Sequence, residues 1–77
     1  MIVKRSITIR GHRTSISIEH GFWEALKTIS AREAVALAAL VAEIDGARDP
    51  ATNLSSAIRL HVLRDLQKTI RTTAPPG

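Results

Sequence analysis

The feature that most constrains this chain is a change of apolar period with no loop between its two halves. Thr14, Ile16 and Ile18 alternate with Arg13, Ser15 and Ser17, the period-two pattern of a half-buried strand. Phe22, Leu26 and Ile29 follow at spacings that share one face of a helix. A strand therefore runs directly into a helix that begins near His20. Residues 32–35 interrupt its apolar face. Leu37, Leu40, Val41 and Ile44 then form the stripe of a second helix, predicted from Ala36 to about Asp45, with Gly46 as its stop signal. Trp23 lies off the first stripe, so it either covers a second contact or meets another chain.

The flanks add one element on each side. In residues 3–10, Ile7 and Ile9 alternate with Ser6, Thr8 and Arg10 before Gly11. Residues 1–12 are read as a basic N-terminal arm or an extra strand. Residues 13–46 form the core unit, and residues 47–53 a connection in which Pro50 bars a continuous helix. Asn53 caps a third helix over residues 54–71, striped by Leu54, Ala57, Ile58, Val62 and Leu66 and widened by Leu60, Leu63 and Ile70. Residues 72–77 read as a disordered tail.

A chain of 77 residues without cysteine buries only a modest core and has no disulfide to reinforce it, so a second chain is the expected support. No apolar run approaches the roughly 18 residues of a membrane span, and no secretory h-region is present. The expected location is the cytoplasm. His12, His20 and His61 are scattered and form no metal-ligand pair. No catalytic motif or phosphate loop appears, and Glu19 and Glu24 suit a helix dipole rather than acid/base work. No enzyme, metal or cofactor is expected.

The net charge of +4 is unevenly placed. Residues 1–13 hold Lys4, Arg5, Arg10 and Arg13 and no acid, whereas residues 14–77 hold seven basic and seven acidic side chains. A cationic segment on a neutral body is either a solubilising tail or a phosphate-seeking surface.

The segment T-S-I-S-I-E-H-G-F-W-E-A-L-K-T-I followed by A-L-A-A-L-V-A-E-I resembles the ribbon-helix-helix family of Arc- and MetJ-like regulators. The flanks K-R-S-I-T-I-R-G-H-R and N-L-S-S-A-I-R-L-H-V-L resemble a bacterial subgroup of short proteins with this domain. The resemblance implies a mainly α fold with a short β ribbon, an intertwined homodimer whose strands pair between chains. Ile16, Ile18, Phe22, Leu26, Ile29, Leu40, Val41 and Ile44 would form the dimer core. It further implies a DNA-binding transcriptional regulator whose ribbon enters the major groove of double-stranded DNA. Arg13, Ser15 and Ser17 would face base edges. Lys4, Arg5 and Arg10 would meet phosphates, together with the backbone amides of Ala36, Leu37 and Ala38 at a helix start. Two positions depart from the family pattern. Ala34 stands where Gly is frequent, and Ala36 where Ser or Thr commonly caps. A strand at residues 4–10 folded onto residues 13–18 would widen a dimer's sheet to four strands and obstruct groove entry. The rival reading is a protein-interaction module, with the third helix docking a partner as in ribbon-helix-helix antitoxins. A third reading, a monomeric helix-turn-helix, leaves the strand unexplained.

Overall fold

The structure is a computed structural model describing residues 1–73. Two strands, β1 (Ile2–Ile9) and β2 (His12–Glu19), are followed by three helices, α1 (His20–Arg32), α2 (Leu37–Ala47) and α3 (Leu54–Thr73). β1 and β2 form one antiparallel hairpin, in register from Ile2 opposite Glu19 to Ile9 opposite His12. Its turn is Arg10–Gly11, with φ of 51° and 80°. Two successive positive φ values define the tight turn whose twist matches that of paired strands. Gly11 adopts it without a steric penalty; Arg10 does not. Arg10 is compensated by its guanidinium, which donates to the Ala42 carbonyl of α2 at 3.3 Å.

Alternation assigns the two faces of the hairpin. Ile9, Ile16 and Ile18 are buried against the helices, with Val3, Arg5, Ile7 and Thr14 half-buried beside them. The core is completed by Trp23, Leu26 and Ile29 of α1, Leu40, Val41 and Ile44 of α2, and Ala57, Ile58 and Val62 of α3. Each fully buried Leu or Ile contributes about 1.5–3 kcal/mol relative to exposure.

These positions correct several expectations. The strand partner of β2 is β1 of the same chain, so the residues assigned to a two-chain core are buried, apart from half-buried Phe22, without a second chain. Of the two readings of residues 1–12, arm or extra strand, the strand is the one present, as β1. Trp23 is buried, at 8 % exposure, where the apolar stripe predicts Phe22. The reason is β1, whose inward-facing Arg5 places its guanidinium carbon 5.2 Å from the centre of the Trp23 ring. Gly46 does not stop α2 but lies inside it. A Cβ there would stand 2.6 Å from Nη2 of Arg10, so glycine makes room for that side chain. The expected tail begins at residue 72, yet α3 reaches Thr73, and residues 74–77 lie outside the described residues.

α1 ends in a paired-bond cap. Val35 N–H donates to the Ser30 carbonyl at 3.0 Å and Ala34 N–H to the Ala31 carbonyl at 3.2 Å, with Ala34 at φ 56°. This is the left-handed ending that usually selects Gly, and alanine adopts it here. At α3, Asn53 Oδ1 accepts from Ser56 N–H at 2.9 Å, the expected N-cap.

Candidate nucleic-acid interface

The face of the hairpin turned away from the helices is polar from Lys4 and Ser17 to Thr8 and Arg13, with exposed Ile2 at its far end. It presents Lys4, Ser6 and Thr8 from β1 and Arg13, Ser15 and Ser17 from β2, all exposed. Register sets Lys4 opposite Ser17, Ser6 opposite Ser15 and Thr8 opposite Arg13. The result is a strip of hydroxyls with one cation near each end, on opposite strands. Arg13, Ser15 and Ser17 are expected to face outward as a set, and they do. Ser6 and Thr8 join them; their parity is visible in the alternation of β1, but their strand partner is not.

The other basic residues of this segment are differently placed. Arg5 points inward, donating to His20 Nδ1 at 3.2 Å over the face of Trp23, and its Nε is buried without a partner. It has no path to a phosphate on the outward face. Arg10 lies at the hairpin tip, engaged with α2. The described ion pairs involve Lys27, Arg32, Arg48, Arg59 and His20, and none involves Lys4, Arg5, Arg10 or Arg13. Among the described residues, no ion pair therefore neutralises Lys4, Arg10 or Arg13.

At the start of α2, Ala36 has an extended N-cap conformation (φ −64°, ψ 144°) and no side chain caps the helix. The Ala36 carbonyl accepts from Leu40 N–H at 3.0 Å. The amides of Leu37 and Ala38 thus open an uncapped helix, whose free N–H groups and dipole favour an anion.

α3 bears on the ribbon from the side. In a hairpin closed by a two-residue turn, the backbone groups of Arg13, Ser15 and Ser17 point to the edge away from β1. Ser55 Oγ of α3 donates to the Ser17 carbonyl at 2.8 Å, and Arg59 Nε donates to Glu19 Oε1 at 2.7 Å. That bond from Arg59 holds the Glu19 carboxyl below its ordinary pKa. The first turns of α3 therefore cover this edge of β2 at Ser17.

Strand, strand, helix, turn and helix in this order match the ribbon-helix-helix domain over residues 2–66. The chain belongs to the ribbon-helix-helix family. No curated protein and no solved structure matches it. Ribbon-helix-helix domains are generally DNA-binding regulatory modules rather than enzymes, and they typically bind as dimers. In this ribbon-helix-helix protein both strands of the ribbon come from one chain, and an added C-terminal helix closes the core. Among the described residues no helix is long and apolar enough to cross a membrane, and no cluster of His, Asp and Glu could hold a metal ion.

Proposed function

We propose that this protein binds double-stranded DNA by laying the outward face of its hairpin in the major groove, and that it regulates transcription in the cytoplasm of a bacterium. The observation that carries this reading is the exposed strip Lys4, Ser6, Thr8, Arg13, Ser15 and Ser17 on a ribbon only two strands wide. Strands lie about 4.8 Å apart, so two of them suit a groove about 12 Å wide. Arg13 is the base-reading residue, since guanidinium matches the paired acceptors of guanine; Ser15 and Ser17 are less selective partners. Lys4 contacts phosphate, the open amides of Ala36, Leu37 and Ala38 receive another, and Arg10 contributes charge from the tip.

The same reading has two copies acting together. Joining them through strand edges would widen the sheet beyond the groove, and α3 already covers β2 at Ser17. The surface that leaves the ribbon clear is the outer face of α3, where Leu63 and Leu66 are about half exposed. A second reading draws on the same face: if the wild-type chain sediments as a monomer, this stripe is left for a different protein, and the chain is an interaction module.

Selection of bound duplexes by the purified protein tests the first reading. A recovered sequence should bind more tightly than random duplex, and Arg13→Ala should relax the preference at one position at a cost of about 1–3 kcal/mol. Equal binding of selected and random duplexes by the wild-type protein would sink it.

A further inference from the structure

A half-open cavity of about 320 Å³ lies between the last turns of α2, the connection to α3 and the middle of α3. Buried Ile44 and Ala57 give it an apolar floor, and exposed Ala47 and Leu60 add apolar surface at its mouth. Arg48, His61 and Arg64 stand on its rim. Arg48 is fixed, donating to Asp45 Oδ1 at 2.8 Å and to the Thr52 carbonyl at 2.7 Å. Asp49 also lines the cavity and accepts from Ala51 N–H at 2.8 Å. Arg64 has no hydrogen bond or ion pair among the described residues, and its guanidinium is the one cation of the rim left uncommitted. The volume falls at the low end of small-molecule sites, about 300–1,000 Å³.

We propose that this cavity binds a small organic monocarboxylate as an effector, its apolar body on the floor and its carboxylate paired with Arg64 beside His61. An apolar floor under a single uncommitted guanidinium selects for a compact body with one negative charge. The Asp49 carboxylate disfavours a second. The site also has a route to the ribbon. Ala42 and Gly46 share one face of α2 and receive Arg10 of the hairpin turn, whereas Ile44 and Ala47 lie on the opposite face and line the cavity. One helix thus separates the ligand from the turn that leads into Arg13. The effect on DNA rests on the function proposed above; the binding site does not.

The experiment is a titration of the isotopically labelled full chain with hexanoate, followed by amide shifts. Saturable shifts are expected at Ala47, Thr52, Leu60 and Arg64, and none from hexanol or hexylamine. Arg64→Gln should weaken binding about tenfold or more, the loss of a charge-assisted hydrogen bond. Arg71→Gln, on the same helix outside the cavity, should leave it unchanged. Ala47→Leu, which fills the cavity from an exposed helical position, should abolish it. Hexanoate shifts that never saturate or fall elsewhere, or equal affinity in Arg64→Gln and wild type, overturn the site. With a duplex recovered by selection, saturating hexanoate should change affinity about fivefold or more. Unchanged affinity overturns the effector role. A protein that binds hexanoate but no DNA refutes the DNA reading and leaves the site standing.

Discussion

Ala34 and Arg5 show how single residues carry costs that the fold offsets elsewhere. Ala34 holds φ 56° to complete the cap of α1, a conformation that costs an L-residue about 1–2 kcal/mol. Glycine removes that strain but raises the entropy of the unfolded chain. Ala34→Gly should therefore stabilise the protein by roughly 0.5–1 kcal/mol, read from urea midpoints at constant slope; a lower midpoint would mean that the turn prefers alanine. Arg5 and Lys4 are adjacent in sequence, yet one faces Trp23 and the other faces solvent. Lys4→Ala should make the slope of log affinity against log salt shallower by about 0.9 for each phosphate that Lys4 neutralises. Arg5→Met, which keeps an apolar stem on Trp23 and removes the unpartnered Nε, should leave that slope unchanged. Reading the segment as four equivalent cations misses this difference. Period-two alternation already puts Lys4 and Arg5 on opposite faces, but which face meets the helices depends on where β1 pairs.

α3 docks through several polar ties as well as apolar contacts. Ser55 and Arg59 tie it to β2, and Asp65 accepts a two-pronged bond from Arg32 at the end of α1. The bond from Arg32 keeps the Asp65 carboxyl below its ordinary value, as Arg59 does for Glu19. A carboxyl whose folded value is depressed adds stability that is present above its unfolded value and lost as pH falls through the folded one. With ordinary values of 4.5 for Glu19 and 3.8 for Asp65, the contribution is complete at neutral pH and disappears in acid. Wild-type Tm should consequently fall more steeply below pH 4.5 than that of an Arg32→Gln/Arg59→Gln double variant, and parallel curves in calorimetry would refute the assignment. Ser55→Ala should cost at most about 1 kcal/mol. The presence of each helix is legible from apolar period, and the start of α3 from Asn53, but α2 runs past its expected stop at Gly46 and α3 past residue 71. The polar ties are not, because Arg32 and Asp65, or Arg59 and Glu19, are far apart in sequence and carry no spacing that announces a pair. Trp23 escapes the apolar pattern for a related reason: neighbouring positions differ by about 100° around a helix, and only the partner surface decides between them.

For the whole molecule, the apolar stripes reveal which side chains form the core but not how many chains form it. Small size and the lack of cysteine argue for a second copy; β1 and α3 instead close the core over Ile16, Ile18 and Leu40, each at most 1 % exposed. Pairing within one chain has a kinetic signature. The refolding rate should be unchanged over a tenfold range of protein concentration, whereas a ribbon assembled from two chains would fold faster when concentrated. Gly46 has the same ambiguity at smaller scale: it reads as a helix stop, yet it lies inside α2 with the Arg10 guanidinium against it. The hairpin turn at Arg10 and Gly11 also joins two strands of different sequence. In a ribbon made by two copies, every DNA-facing residue occurs twice, and one substitution alters two places on the DNA together. Here Lys4, Arg13 and Ser15 each occur once per ribbon. Under the proposed function, each ribbon would then read a half-site that need not be symmetric in itself, and symmetry in the whole site would come only from how two copies are set side by side.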